Sequence, residues 1–443
     1  MTPSTAWMRI RDYAVSLDGV LLFVVFISAL IPRLWWACYE HPPLFSDMED
    51  YYMSAIRFLR GEPLSMSPDR LAYRAPGYPL FLVFIIKSFF VDHLTAVRIA
   101  QALLGSCSAV LLYLITQAVL AKNQDSLPHG FSQNAATFVS FCTALSFAFM
   151  ADQIFLTSIF LTETLYVFVL LLWVYLGIRL QNSASPGVLM LFSFLLGFLA
   201  LIRPISLIFL PILIWKAYLT WHRNRKNYWA IGSLFIWLAP ILPWTVRNLL
   251  LLNSFVFITT NSGVNFFLGH NPTFQYYASP LKEQVRQSYL AEYGPSEVGE
   301  DRYLFQLGLQ YIYEYPEELI PRSLAKLYFL YILEIPPWPW DEYLNGEGLI
   351  LPVWMPRWLW QCEILVFVLL GIIYSFTRKL KHGILLSVIA LYTIACVVYF
   401  ARTRFRMPIE PFLLIYAWGG VLSLVDLLVW GYGKGKGNSH LTD

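Results

Sequence analysis

Hydrophobic residues form long, almost unbroken segments along this chain, and short polar stretches separate one segment from the next. Segments of roughly 18 to 25 apolar residues are long enough to cross about 30 Å of hydrocarbon as α-helices. Membrane-spanning barrels read as short strands of alternating polarity, which is a different pattern. The pattern therefore predicts an all-α polytopic integral membrane protein.

By this criterion we place about ten spans on the sequence. They lie near residues 17–37, 95–120, 133–151, 159–180, 187–202, 204–220, 228–248, 357–376, 383–401 and 407–429. The segment 78–90 is short for a span and contains Lys87, so we interpret it as an interfacial or re-entrant helix. The alternative is that this segment crosses the membrane and forms a hairpin with the next span.

Basic residues predict the orientation of the spans, because Lys and Arg beside a span are retained on the cytoplasmic side. Arg9 and Arg11 precede the first span, and further basic clusters occur in "WKAYLTWHRNRKN", "SFTRKLKHG" and "GYGKGKG". About ten spans place all of these clusters inside. The polar stretch that follows the first span then lies on the outer face.

This topology predicts one transmembrane module over residues 1–430, followed by a short basic cytoplasmic tail at 431–443. Two outer loops belong to the module, one at residues 38–94 and one at residues 251–356. We expect the first loop to contain interfacial helices and catalytic residues. The second loop is expected to cover the site where donor and acceptor meet.

The composition agrees with a membrane location. Of the 443 residues, 58% are hydrophobic and only 13% are charged, which is more apolar surface than a soluble domain of this size can bury. The net charge of +3 fits the cytoplasmic flanks of a membrane protein and does not indicate a nucleic-acid partner. The five cysteines show no CxxC spacing, so no zinc site is predicted.

Ionisable residues lie near the outer ends of the predicted spans. Placing such a side chain in or beside lipid costs free energy, so these residues usually have a function. The group includes Glu163, Arg203, Arg247 and Arg404. Ion-coupled transporters bind substrate near the midplane, yet no predicted span has a carboxylate at its middle. The pattern favours an outward-facing site over a conduction pathway. The alternative is that these side chains extend into the lipid headgroups as anchors.

Several short motifs occur in a characteristic order along the chain. They are "DMEDYYMSAIRFLRG", "RAPGYPLF", "LTETLY", "LALIRP", "PWTVRN", "TTNSGVNFFLGHNP" and "RTRFRMPIEP". In this order the chain resembles the polytopic GT-C glycosyltransferases that use polyprenyl-phosphate sugars. The similarity is strongest to the branch related to protein O-mannosyltransferases and lipid A aminoarabinose transferases. The first loop differs by having DMED in place of an Asp-Glu or Asp-Asp pair.

The resemblance implies an inverting glycosyltransferase that needs one carboxylate as general base. Asp47 matches the catalytic aspartate of the family and lies just beyond the first span. Asp50 and Tyr51 follow at helical offsets that place them on the same face, so they could orient Asp47. Glu163 matches the second acidic position of the family and could orient the acceptor. Which carboxylate works with Asp47 is left open by the DMED variation.

The resemblance also implies arginines that bind the phosphate of the donor, since a planar guanidinium group donates two hydrogen bonds to phosphate. Arg74, Arg203 and Arg247 are the candidates, and Arg404 is a further one. No metal is required, because the donor has no nucleotide diphosphate. A divalent cation held by Glu163 together with Asp47 or His270 is an optional addition.

The expected partners are a polyprenyl-phosphate-linked sugar and a hydroxyl acceptor on a lipid, a glycan or a protein, with membrane lipid around the spans and no nucleic acid. The expected location is a prokaryotic plasma membrane, with the site on its external face. Two alternatives remain open. One is an O-antigen-type polymerase or ligase, which would use a lipid diphosphate, and the other is a flippase or transporter of lipid-linked sugars.

The second outer loop contains two further patterns. Residues 301–333 have helical apolar spacing with Arg322 and Lys326, as expected of a helix that lies on the outer leaflet. The aromatic run that follows contains Trp338 and Trp340, which could stack on sugar faces.

Overall fold

The computed structural model describes residues 3–38, 44–89, 92–123, 133–180, 185–223, 228–273, 280–332 and 357–437. Within these ranges the chain forms helices and turns and no strand, so the all-α prediction is confirmed. The helices of the first half are α1 (Pro3–Ala37), α2 (Asp47–Leu59), α3 (Gly77–Ser88), α4 (His93–Lys122), α5 (Gln133–Ala148), α6 (Ala151–Phe155), α7 (Glu163–Arg179), α8 (Pro186–Ile202) and α9 (Leu210–Arg223). Those of the second half are α10 (Trp229–Ile236), α11 (Leu238–Leu252), α12 (Ser262–Gly269), α13 (Pro280–Tyr293), α14 (Glu297–Glu314), α15 (Leu319–Tyr331), α16 (Arg357–Thr377), α17 (Gly383–Val398) and α18 (Glu410–Gly437). Short 3₁₀ segments occupy Pro204–Phe209, Pro316–Glu318 and Thr403–Arg406.

Each predicted span overlaps at least one of these helices. Within the ranges that the structure describes, 5 helical stretches are long and apolar enough to cross a membrane: Asp18–Ala37, His93–Lys122, Pro204–Arg223, Trp229–Leu252 and Glu410–Leu427. Shorter apolar helices lie at Gly77–Ser88, Pro186–Ile202, Ile364–Thr377 and Gly383–Val398. The chain is an all-α membrane protein, while the count of about ten spans and their orientation stay predictions.

Helix α4 lies at the centre of the bundle and packs against α1, α5 and α7. Gly105 lets α1 approach closely, because a Cβ there would lie 2.8 Å from the Arg33 Nε atom of α1. The buried Arg33 guanidinium group donates to the carbonyl of Ala29 at 2.9 Å and to that of Ala148 at 2.7 Å. Since Ala148 ends α5, the cation also lies at the negative end of that helix dipole. A charge buried among the spans is thereby compensated.

Helices α16 and α18 approach each other through glycines. A Cβ on Gly371 of α16 would lie 1.8 Å from the Tyr416 carbonyl oxygen of α18, and one on Gly420 of α18 would lie 2.1 Å from the Phe367 carbonyl oxygen of α16. Such close contacts with a backbone carbonyl are possible only because neither glycine has a side chain at the crossing point. The two helices therefore form a closely packed pair near the C-terminus.

The two segments predicted as outer loops are joined to each other. Helix α2 packs on α3 in the first loop, and α12 packs on α14 in the second. A backbone hydrogen bond of 3.0 Å runs from the Thr260 N–H to the Ala72 carbonyl and connects the two loops. The residues between these helices form one side of the candidate site described below.

The prediction of one surface helix over residues 301–333 is wrong in two respects. The segment is divided into α14 and α15, because Pro316 has no N–H to continue the helical hydrogen bonds. Lys326 does not face the headgroups either. It is buried and donates to the carbonyls of Val397 and Tyr399 at 2.9 and 3.2 Å. Trp338 and Trp340 lie outside the described residues.

Candidate active site

Asp47 and Arg74, both from the first outer loop, form an ion pair at the centre of the candidate site. Arg74 also donates to Asp50 at 2.7 Å, so two of the three carboxylates in the first turn of α2 bind one guanidinium group. The ring of Tyr51 lies under this group, with its centroid 5.2 Å from the central carbon of Arg74. The structure thus places the predicted residues Asp47, Asp50 and Tyr51 on one face of α2, as their spacing indicated.

Arg404 connects this pair to a second carboxylate. Its guanidinium group lies 3.3 Å from the Asp47 Oδ2 atom and 2.8 Å from the Glu163 Oε1 atom. Arg203 lies on the other side of Glu163, with its Nη2 atom 2.5 Å from the same carboxylate oxygen. The five residues Arg74, Asp47, Arg404, Glu163 and Arg203 therefore form a row of alternating charge, which we call the charge network.

The secondary structure places these charges where helix dipoles stabilise them. Asp47 begins α2 and Glu163 begins α7, and negative charge is favoured at a helix N-terminus. Arg203 directly follows the last residue of α8, where a cation is favoured, and Pro204 prevents the helix from continuing. Arg404 lies in the short 3₁₀ segment before α18. Each charge thus lies at the end of a helix or in a turn.

The electrostatics of Asp47 follow from these contacts. Burial raises the pKa of the Asp47 carboxyl group, but the charges and hydrogen bonds of Arg74 and Arg404 lower it by more. The net effect holds the pKa well below its usual range. For Arg74, burial lowers the pKa of the guanidinium group, while Asp47 and the nearby tyrosines raise it well above its usual value. Both groups are therefore charged at neutral pH.

The charge network faces a cavity of about 640 Å³. Asp47, Arg74, Arg203 and Arg404 line its charged end. Another part of the wall is apolar and comes from the 3₁₀ segment after α8 and from α17: Ile205, Leu207, Ile208, Ile394 and Val398. A third part is polar and contains Asn261, Asn265 and Lys282 from the second outer loop. The cavity can therefore hold a molecule that combines an anionic group, an apolar chain and a polar group.

Arg247 is the predicted site residue that the structure does not bring into this cluster. Its guanidinium group donates to the carbonyls of Leu64 and Leu71, at 2.8 Å each, and stacks on Trp244 with the ring centroid 4.3 Å away. Arg247 is not among the residues that line the cavity. Its contacts hold the backbone of the first outer loop instead.

His270 is also occupied by other contacts. Its Nδ1 atom lies 3.0 Å from the Phe266 carbonyl oxygen and its Nε2 atom lies 3.2 Å from Lys326 Nζ. Burial and the neighbouring Lys326 lower the pKa of His270 to about 4. In the parts of the chain that the structure describes, no group of three or more His, Cys, Asp or Glu side chains is placed to hold a metal ion. A role for a divalent cation stays a prediction.

Several residues at the site were not predicted from the sequence. Lys282 and Tyr73 line the cavity, and the Tyr73 ring lies 5.3 Å from the central carbon of Arg74. Glu297 accepts hydrogen bonds from the backbone just before Arg74. The available signal was the acidic spacing of "EVGED", which places Glu297, Glu300 and Asp301 on one face of a helix.

A family model matches part of this chain. Residues 73–227 match the model of the protein O-mannosyl-transferase TMEM260 N-terminal domain. This segment includes Arg74, Glu163 and Arg203, whereas Asp47 and Arg404 lie outside it. A search of curated proteins finds no match. The helical membrane architecture and the matched domain together support a membrane glycosyltransferase.

Proposed function

We propose that this protein transfers a sugar from a polyprenyl-phosphate carrier to a hydroxyl acceptor, with inversion at the anomeric carbon, at the outer face of the membrane. The observation that carries the proposal is the charge network at one end of a cavity with an apolar wall. A polyprenyl-phosphate sugar has an anionic group, an apolar chain and a polar sugar in one molecule, which corresponds to the three parts of the cavity wall. The prokaryotic plasma membrane stays a prediction.

The donor phosphate would bind to the arginines of the charge network. Arg74, Arg203 and Arg404 line the cavity, and a guanidinium group can donate two parallel hydrogen bonds to phosphate oxygens. The Nε atom of Arg74 is buried and has no hydrogen-bond partner among the described residues, so this group still has donor capacity. The polyprenyl chain would lie along Ile205, Ile208 and Val398.

The reaction requires one proton transfer. The acceptor oxygen attacks the anomeric carbon, the bond from that carbon to the phosphate oxygen breaks, and the polyprenyl phosphate leaves with the bonding electrons. Asp47 takes the proton of the acceptor hydroxyl. Attack from the face opposite the leaving phosphate inverts the anomeric centre. Arg74, Arg203 and Arg404 stabilise the additional negative charge on the departing phosphate.

The ion pairs of Asp47 have a consequence for the order of events. A carboxylate with a lowered pKa is a weak base, and Asp47 is bound by two arginines when no donor is present. A phosphate that binds Arg74 and Arg404 competes for the same guanidinium groups and adds negative charge nearby. Both effects raise the pKa of Asp47. Asp47 would therefore be a stronger base when the donor is bound.

The proposal is tested with purified protein and a panel of radiolabelled polyprenyl-phosphate sugars, with a membrane glycolipid extract, a polysaccharide or a peptide as acceptor. We expect transfer with at least one donor and acceptor pair and none in the Asp47→Asn variant. Polyprenyl-diphosphate sugars serve as the comparison, since a polymerase or ligase would use them. Transfer only from the diphosphates, or movement of donor across the membrane without transfer, would overturn the proposal.

A further inference from the structure

The backbone of Leu71 and Ala72, just before Arg74, is held by hydrogen bonds to distant parts of the chain. The Leu71 N–H donates to Glu297 Oε2 at 2.7 Å, and the Ala72 N–H donates to Glu297 Oε1 at 3.1 Å. On the other side, the Leu71 carbonyl accepts from Arg247 at 2.8 Å and the Ala72 carbonyl accepts from the Thr260 N–H at 3.0 Å. Each polar backbone group of these two residues therefore has a partner.

Glu297 connects three elements through one carboxylate. Besides the two N–H groups it accepts a hydrogen bond from the Thr260 hydroxyl, which belongs to the turn before α12. Two further carboxylates on the same face of α14 bind residues of neighbouring segments. Glu300 binds Arg70 at 2.8 Å, and Asp301 accepts from the Gly263 N–H at 2.6 Å. We call Glu297, Glu300 and Asp301 the acidic turn of α14.

The three partners of Glu297 are all hydrogen-bond donors. The ionised carboxylate accepts from all three through its two oxygens, and the Ala72 N–H lies within 3.3 Å of both of them. A glutamine of the same shape has one acceptor oxygen and no charge, and its NH₂ group would face the Thr260 hydroxyl. The two N–H groups would then share one neutral oxygen in place of a carboxylate, and hydrogen bonds to an ionised acceptor are roughly twice as strong as neutral ones.

We propose that Glu297 is a positioning residue that fixes the segment 71–72 and thereby sets the guanidinium group of Arg74 at the charged end of the cavity. Arg247 holds the same segment from the opposite side, so the two residues share this task. The inference rests on the proposed function, in which Arg74 binds the donor phosphate. Because Thr260 precedes the cavity-lining residue Asn261, the same contact also fixes the polar wall of the cavity relative to Arg74.

The first test uses Glu297→Gln, with Glu317→Gln as the matched control because Glu317 is exposed in the same outer region. We expect Glu297→Gln to lower kcat/KM for the donor by about ten- to a hundredfold, since a small displacement of a binding group has effects of this size. The conservative variant Glu297→Asp should recover part of the loss. Glu317→Gln should behave as wild type.

The second test is a double-mutant cycle on kcat/KM. If Glu297 acts through Arg74, combining Glu297→Gln with Arg74→Lys costs less than the sum of the two single losses. The combination with Arg203→Lys should be close to additive, because Glu297 does not contact Arg203 or its segment. A general loss of stability would give the same result in both combinations. Additivity in both cycles would overturn the inference.

A third measurement does not depend on activity. Hydrogen exchange at the amides of Leu71 and Ala72 should be faster in Glu297→Gln than in wild type, because both amides lose a carboxylate acceptor. Thr260→Val, which removes only the hydroxyl, provides a milder variant if Glu297→Gln fails to fold. Faster exchange in Glu297→Gln, together with no sugar transfer by the wild-type protein, would reject the proposed function alone. Wild-type exchange and wild-type kcat/KM in a folded Glu297→Gln protein would reject the positioning role alone.

Discussion

The carboxylate of Asp47 accepts a hydrogen bond from the guanidinium group of Arg74, a residue of the turn before the next helix. Burial raises the pKa of Asp47, and the two bound arginines lower it by more, so the net shift is downward. A group with a depressed pKa stays charged until the pH falls below its ordinary value of about 3.9. Asp47 is therefore ready to accept a proton throughout the neutral range.

We accordingly expect the pH profile of kcat/KM for the donor to show no acidic limb from Asp47 between about pH 5 and pH 7, since this constant reports the free enzyme. Arg404→Ala removes one of the two lowering charges and should move the acidic limb to higher pH. The measurement is kcat/KM across this range for both proteins. An acidic limb above about pH 5 in the wild type would assign the base to another group.

Asp47→Asn should abolish transfer while donor binding is retained, because the variant keeps the shape of the side chain, loses the carboxylate that accepts the proton and leaves Arg74 and Arg404 in place for the phosphate. The expected loss in kcat is about a hundredfold or more. Glu49→Gln is the matched control, since Glu49 is an exposed acid in the same turn of α2. Donor binding is measured with a labelled polyprenyl phosphate. If Asp47→Asn keeps more than about a tenth of the activity, Asp47 is not the base.

At Arg74, Arg203 and Arg404 we expect wild type to exceed Lys, and Lys to exceed Ala, because Lys keeps the charge but loses the planar fork. Loss of one such donor corresponds to about 3 kcal/mol, or roughly a hundredfold in rate. The drop should appear in kcat at least as much as in KM, since the phosphate gains charge in the transition state.

Each arginine variant must first show the thermal stability of the wild type in detergent, since the same residues also neutralise buried carboxylates. Arg247→Lys offers a useful contrast, because Arg247 holds the backbone near Arg74 and does not line the cavity. Its effect should resemble that of Glu297→Gln. Stable Ala variants of Arg74, Arg203 and Arg404 with wild-type rates would show that these arginines do not bind the reacting phosphate.

The glycine contact between α16 and α18 predicts a stability effect. Gly371→Ala places a methyl group 1.8 Å from the Tyr416 carbonyl oxygen, so the helices must separate, at a cost of about 1 to 3 kcal/mol. Gly419→Ala on α18 is the control, because its nearest contact, the Gly371 Cα atom, is at 3.7 Å. Thermal unfolding in detergent should show a lower Tm for Gly371→Ala. Equal Tm values for the two variants would contradict the packing described.

The predicted orientation is testable by cysteine labelling in intact cells. Asp69→Cys and Glu292→Cys should react with a membrane-impermeant thiol reagent, because both positions are exposed in the outer loops. His222→Cys should react only after the membrane is opened, since it lies in a basic cluster. The background must contain Cys38→Ser, because Cys38 is exposed and free. Labelling of His222→Cys in intact cells would reverse the orientation.

The sequence predicted the helices well because a membrane span has a one-dimensional signature of length and polarity. It also indicated that Glu163, Arg203 and Arg404 belong together, since all three lie at span ends. It did not predict which arginine binds which carboxylate, because pairing between distant segments has no periodicity in the chain. Arg247 shows where prediction from the sequence fails. Its motif and its place at a span end resemble those of Arg203, but its partners include backbone carbonyls.

The acidic turn was missed for a related reason. Three carboxylates on one face of a helix are usually a solvated surface, and nothing in "EVGED" shows that backbone N–H groups from residues 71–72 face them. The break at Pro316 was visible in the sequence, but the apolar spacing on both sides suggested one helix. Polar backbone groups outside helices find their hydrogen-bond partners only when the loops have assembled, so the sequence does not show these partners.

The contact between Asp47 and Arg404 joins residues that are 357 positions apart. During synthesis, Asp47 emerges long before its partner, and the last helix must be inserted before the pair can form. Until then the charge network is incomplete, and under the proposed function the nascent chain would not transfer sugar. A chain that ends before Arg404 would lack this contact, so the proposed activity depends on the last part of the polypeptide to be made.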